Sequence, residues 1–427
     1  MGMKQLKNMA SSRVAGWQSN GLRVAIHLIL ADTIRFPDGG SSLYVAKRPF
    51  TKPIIFLLIL ATFLLAACAG QAQTQNWPGM TAVGDTVFVA YGPALLAYDT
   101  ATQSVDWTYP SGEERSQLQF DAAPAVLNGQ IVFGDYGQAT SLINPRQIVS
   151  VYGVSNPPGS PSDWTNNELA QDKIIAPLLQ EGDRAFFATG DSKVFAVDAA
   201  TGQPLWSEPF TAANPIWGPM AYADGTLYVA GMDGNIYAID AETGIGNGRW
   251  QTDSSFPGGL TLAGDMLYVG GLDNFLHVFD RTAPDSEEVW TFTAEAGIWG
   301  APIVVDEQVI FGDMNGNVYA LAATSGDLLW QTAAPGPIVT SAAFSDGVIY
   351  IASEGDTESK DQQWFLTAFN LEDGTQLWQQ TPVAGIYTTP VVIDNSVIGV
   401  LYGDTDELLI AYDKTSGTKQ WGYTPEK

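Results

Sequence analysis

Residues 196–206 read AVDAATGQPLW, from Ala196 to Trp206. Variants of this stretch return along most of a 427-residue chain. Its last residue sets a beat: Trp107, Trp164, Trp206, Trp250, Trp290, Trp330, Trp378 and Trp421, at spacings of 57, 42, 44, 40, 40, 48 and 43 residues. A recurring period of that length marks an array of similar supersecondary units. A second beat agrees with the first. The pairs Gly84-Asp85, Asn128-Gly129, Gly182-Asp183, Asp224-Gly225, Gly264-Asp265, Asp306-Glu307, Asp346-Gly347 and Asp394-Asn395 fall once per unit. Gly, Asn and Asp tolerate the positive φ that tight hairpins need.

Residues 298–330 show the inside of a unit. Strands are predicted at Ala301–Val305, Val309–Gly312 and Val318–Ala322, with a fourth ending near Trp330. Asp306-Glu307, Asp313 to Asn317 and Thr324 to Gly326 supply the turns between them. Four short strands joined by tight turns make a meander, and no window has the pattern of a long amphipathic helix. Such sheets at this period are blades. The predicted fold is all-β, an eight-bladed β-propeller of four-stranded antiparallel blades.

The opening stretch resembles the tryptophan-docking motif, A-x-D-x-x-T-G-x-x-x-W, of the pyrroloquinoline quinone (PQQ) propeller family. Residues 196–206 match every defined position. Ala320–Trp330, Ala368–Trp378 and Ala411–Trp421 keep the length, the Ala, the Gly and the Trp. Ala97–Trp107 has Gln103 in place of the Gly, and the second unit keeps little beyond Trp164. The resemblance implies that Trp107, Trp206, Trp250, Trp290, Trp330, Trp378 and Trp421 wedge between adjacent blades. Gly202, Gly244, Gly326, Gly374 and Gly417 would permit their close approach, because a Trp has a large flat surface to bury. Asp99, Asp198, Asp240, Asp280 and Asp413, together with Asn370, precede the motif's turn and can accept backbone N–H groups there.

Charge and the amino-terminal region bound the cellular role. From residue 68 onward there are 11 basic and 44 acidic side chains, a net charge of −33. A surface of that sign repels phosphate backbones and argues against nucleic-acid binding. Lys47, Arg48 and Lys52 precede an uncharged run from Pro53 to Ala67, and Cys68 follows. A basic segment, an apolar segment of this length and small residues at its end read as a secretory signal. The ending Leu65-Ala66-Ala67-Cys68 resembles a bacterial lipobox, which implies lipidation of Cys68. The predicted organisation is a non-structural or mis-assigned extension at 1–44, a lipoprotein signal peptide at 45–67, a tether at 68–76 and the propeller at 77–427.

Candidate sites for chemistry are few. Cys68 is the one cysteine, and His27 and His277 are the only histidines, so Cys/His zinc sites cannot be assembled. The quinone dehydrogenases of the family carry a vicinal disulfide, which this chain cannot form. His277 takes a strand slot that aligns with Phe195, Tyr237 and Tyr319, and is expected to be a packed ring. Gly312–Asn317 and Gly231–Asn235 superficially resemble calcium loops but lack the spacing and terminal Glu of an EF-hand. They are expected to be hairpins, so metal ligands and cofactors are both predicted to be none. One slot, about seven residues before each first turn, holds Trp77, Asp121, Ile175, Trp217, Pro257, Trp299, Val339 and Tyr387. First strands line the axis of a propeller. Trp77, Trp217, Trp299 and Tyr387 are therefore candidates for a binding site at the channel mouth. Residues 154–170 and 354–363 are irregular segments that could carry recognition.

These features resemble the BamB-type envelope lipoproteins. The expected function is a non-catalytic interaction scaffold in the cell envelope, membrane-anchored by lipid and facing the extracytoplasmic side. It would act as a monomeric subunit of a complex with envelope protein partners, in outer-membrane protein assembly where an outer membrane exists. A PQQ-dependent or other small-ligand oxidoreductase and an envelope ligand sensor are the competing readings.

Overall fold

Each unit folds where its alternation and its turns direct it. The computed structural model describes residues 78–111, 118–139, 147–355, 363–403 and 405–426. Cys68, Trp77, the lipobox and everything before them lie outside the described residues, as does most of the polar insertion, 356–362. The described residues form eight antiparallel blade sheets, one further two-stranded hairpin and no helix, an eight-bladed β-propeller. Blade 1 is typical: Gly79–Val83, Thr86–Tyr91, Ala94–Asp99 and Ser104–Tyr109 pair in chain order. The first residue of every first turn has a φ between +46° and +58°.

The central strands read as nearly continuous apolar runs because both faces are buried. In Thr86–Tyr91, Val87 and Val89 pack with Ile398, Val400 and Leu409 of blade 8. Phe88 and Ala90 point the other way and pack with Phe120, Ile131 and Phe133 of blade 2. Side chains two apart share a face, so one strand feeds two hydrophobic layers. The core is a set of eight such layers, one at each blade-to-blade interface.

Several elements differ from the sequence-based expectation. In blade 6 the strands are Ile303–Val305, Gln308–Gly312, Asn317–Ala322 and Leu328–Ala333, so the last runs three residues past Trp330. A bulge between Ala320 and Leu321 sets Trp330 opposite Ala320 and lets the pairing continue. In blade 3 the outer strand is only Phe210–Thr211, and Trp206 precedes it. Pro204 and Pro209 flank Trp206, and neither can donate to a ladder. Blade 2 carries an inserted hairpin, Gln138–Ala139 with Gln147–Ile148, which accounts for the longest Trp spacing. Residues 154–170 are not a free loop. They contain the outer strand Trp164–Asn166, and Asp163 accepts the N–H groups of Ser155 at 2.8 Å and Gly159 at 2.6 Å.

Among the described residues, the ring closes without strand exchange. All four strands of blade 1 lie within 79–109, and blade 8 draws its strands from 385–423. The seam is made by side chains: Tyr98 meets Trp421 and Tyr423 at ring-centroid distances of 5.2 and 5.0 Å. Near the axis, the Thr388 hydroxyl donates to the Pro78 carbonyl at 2.7 Å.

Candidate functional site

The repeated motif is a fastener whose two halves serve different interfaces. Trp206 of blade 3 donates from Nε1 to the Ala241 carbonyl of blade 4 at 3.1 Å. Gly202, four residues earlier in the same motif, faces Trp164 of blade 2. The same relation links Trp206 to Gly244, Trp290 to Gly326, Trp330 to Gly374 and Trp378 to Gly417. A Cβ on any of these five glycines would lie 2.3–2.7 Å from a ring atom, and each has a φ between +68° and +75°. The glycine is therefore required twice, for its backbone conformation and for the space it leaves.

Where the motif is degraded, the contact changes. Trp250 donates to the Ala283 carbonyl at 3.0 Å, with Pro284 in the position of the glycine. Trp107 donates to the Asn156 side chain at 2.8 Å. In blade 5 the Tyr268 hydroxyl donates to the Ala323 carbonyl at 3.1 Å, and its ring meets Trp290 edge-on. Blade 1 offers Gln103 instead of glycine, and Trp421 packs on Tyr98. The motif aspartates organise the turn. Asp198 accepts the backbone N–H groups of Ala200 and Thr201 and the Thr201 hydroxyl at 2.8–3.1 Å. The equivalent donors hold the carboxyls of Asp99 (Thr102 N–H foremost) and Asp240 (Thr243 hydroxyl) below the usual range. They do the same for Asp280 (Thr282 hydroxyl) and Asp413 (Ser416 N–H).

In the loops that resemble calcium sites, the aspartate carboxylates already accept from N–H and O–H groups. Asp313 accepts the N–H groups of Asn315 and Asn317 at 2.9 Å, the Asn317 amide at 3.0 Å and the Tyr319 hydroxyl at 2.9 Å. Asp233 accepts from Asn235 and from Tyr237, whose hydroxyl burial and that bond push up to about 12. Among the described residues, no group of three or more His, Cys, Asp or Glu is placed to hold a metal ion.

His277 belongs to this same series. It occupies the register position of Tyr237 and Tyr319, and Asp273 corresponds to Asp233 and Asp313. Its Nε2 lies 3.2 Å from Asp273 and its Nδ1 3.4 Å from Glu288. Both ring nitrogens face carboxylates. With Gln251, Thr252, Asp253, Phe275 and Thr291, these residues line a cavity of about 660 Å³ at this edge of blade 5.

The other cavity of note lies on the axis, about 190 Å³, and every blade contributes to its wall. Trp217, Trp299 and Tyr387 come together there, with Asp121, Ile175, Pro257 and Val339 between them. Trp77, the eighth residue of that slot, lies outside the described residues. Small residues follow the slot and let the inner strands crowd. A Cβ on Gly218 would lie 1.9 Å from the Gly259 nitrogen, and one on Gly300 2.3 Å from the Thr340 carbonyl. Trp217 is 40% exposed at the mouth. Asp121 is buried and accepts from Gln119 at 3.0 Å. Burial first, and then the negative charge of Asp121, push the Tyr402 hydroxyl up. Spacing along the sequence does not single out Thr340, which lines this cavity and whose buried hydroxyl has no hydrogen-bond partner.

Comparison with known proteins places these features in context. A family model described as "Outer membrane protein assembly factor BamB" matches residues 71–214, 146–247, 245–357 and 314–426. The outer membrane protein assembly factor BamB of Burkholderia pseudomallei (strain K96243) is 31% identical over 172 residues, which cover 39% of this chain and 42% of that protein. The chain spans about half the length of the first curated relatives it matches. The crystal structure of BamB from Moraxella catarrhalis superposes with a TM-score of 0.57 at 21% identity, covering 73% of this chain and 89% of that one. The quinohemoprotein alcohol dehydrogenase ADHIIG of Pseudomonas putida HK5 does so with a TM-score of 0.55 at 15% identity, covering 72% and 67%. At these identities the two solved structures show a shared fold alone.

Proposed function

The chain belongs to the family described as outer membrane protein assembly factor BamB, and on that premise we propose that it is a non-catalytic docking scaffold for outer-membrane protein assembly. The supporting observation is the repeat of family matches from residue 71 to residue 426, which takes in all eight blades. Side-chain chemistry supports a scaffold over an enzyme. The aspartates that resemble cation ligands are occupied by N–H and O–H donors, and His277 is held between two carboxylates.

In this reading Cys68 carries the lipid anchor, and the propeller works at the extracytoplasmic face of a membrane. The axial mouth, with Trp217, Trp299 and Tyr387, is the docking point for an envelope partner.

Deletion of the gene in its own cell tests the proposal. The amount of folded β-barrel protein in the outer membrane should fall. The intact chain should restore it, and the Cys68→Ala variant should restore it poorly. Unchanged β-barrel levels after deletion would overturn the assembly role.

A further inference from the structure

The wall of the axial cavity has an order that the docking proposal does not use. Among the described residues, the even-numbered blades supply its large planar or charged side chains: Asp121 from blade 2, Trp217 from blade 4, Trp299 from blade 6 and Tyr387 from blade 8. Blades 3, 5 and 7 supply Ile175, Pro257 and Val339. Alternate blades of an eight-membered ring are a quarter-turn apart. Asp121 and Trp299 therefore come from opposite blades, as do Trp217 and Tyr387. One carboxylate is set among three aromatic rings, and no basic side chain is among the described residues of the wall.

We propose that this mouth holds an arginine side chain presented by a partner protein. Aromatic faces attract cations through their quadrupole. A guanidinium is planar and weakly hydrated, stacks on such faces and matches a carboxylate with two parallel N–H groups. Its five donors need several acceptors. The Asp121 carboxylate, which also accepts from Gln119 at 3.0 Å, is one acceptor, and the hydroxyl of Thr340, 95% buried by residue and without a partner, is another. The cavity of about 190 Å³ is smaller than the 300–1,000 Å³ typical of pockets for whole drug-sized ligands, and suits one side chain. The net charge of −33 from residue 68 onward steers a basic partner toward the propeller. This inference rests on the docking proposal in taking its ligand from a protein.

Calorimetric titration of the full chain in detergent micelles tests it, with capped Gly-Arg-Gly, Gly-Glu-Gly and Gly-Leu-Gly as probes. The arginine tripeptide should bind at least tenfold more tightly than the other two. Asp121→Asn and Trp217→Leu should each weaken it about tenfold, as loss of one desolvated charge or cation–π contact implies. Trp217 is already partly exposed, so its variant keeps the fold even where Asp121→Asn does not. Equal binding of the three tripeptides, or unchanged arginine binding in Trp217→Leu, would overturn the proposal. Arginine binding as described, with β-barrel levels unchanged on gene deletion, would overturn the assembly role and leave the site standing. The opposite pair of results would remove the site alone.

Discussion

Replacing Gly374 by alanine measures how tightly one blade seats the tryptophan of its neighbour. A Cβ at Gly374 would lie 2.6 Å from Cε3 and 2.9 Å from Cδ2 of Trp330. Carbon atoms pack best at about 3.5–4.0 Å, so the indole would have to retreat by about 1 Å. It is poorly able to do so. Its Nε1 is tied to the Leu371 carbonyl at 2.8 Å, and the ring is buried among Ile338, Ile349 and Phe369. Overpacking of this kind costs about 1–3 kcal/mol. The φ of +71° adds the penalty for an L-residue in the left-handed region, about 1–2 kcal/mol. The expected total is about 2–5 kcal/mol. Gly347 is the control, because its φ is +76° and a Cβ there would meet nothing within 4 Å. Gly347→Ala should cost only the backbone share, about 1–2 kcal/mol. Urea denaturation followed by far-ultraviolet circular dichroism gives both values. In a Trp330→Leu background the two costs should converge, since the ring that the new methyl strikes is gone. Equal destabilisation by Gly374→Ala and Gly347→Ala in the native background would refute the seat.

Tyr98→Ala removes the ring on which Trp421 and Tyr423 rest, and should destabilise the propeller by about 3–5 kcal/mol, with the amides of 409–423 losing hydrogen-exchange protection first. The carboxyls of Asp99, Asp240, Asp280 and Asp413 are lowered from their usual 3.8 in the folded chain. Their contribution to stability is thus present above that pH and lost as the pH falls through the folded values. A titration of melting temperature from pH 6 downward should show the loss beginning near pH 4, and Asp413→Asn should reduce its size. His277→Tyr restores the tyrosine–aspartate pair of the neighbouring blades. In thermal melts it should shift the midpoint less than His277→Ala, which forfeits about 2 kcal/mol or more of packing.

The blade count was legible in the sequence because each blade repeats two things that physics demands. One is a turn with positive φ, and the other is a tryptophan that must be buried. The same arithmetic identified Trp217, Trp299 and Tyr387, since a fixed offset from the first turn fixes a position on the inner strand. Sequence reading could not show that Gly202 seats Trp164 and not its own Trp206, because that relation exists only between blades. Nor could it show the role of Asp163 within 154–170, where a Pro- and Ser-rich composition disguised an outer strand. The crowding at Gly218 and Gly300, and the hydroxyl of Thr340 beside them, depend on how neighbouring inner strands approach. No period along one chain encodes that distance.

Closure without strand exchange imposes a timetable on folding. A chain that emerges amino-terminus first can complete each blade's hydrogen-bonded sheet from residues already present. Each tryptophan then waits for a surface that the following forty or so residues will bring. Only Trp421 arrives to find its resting place, Tyr98, made long before. Until that moment blade 1 keeps one apolar flank, that of Val87 and Val89, open to whatever is nearby. The final blade is thus the step that converts a row of sheets into a ring. A chain cut short by one blade would present both unsatisfied flanks, and two such chains would have good reason to find each other.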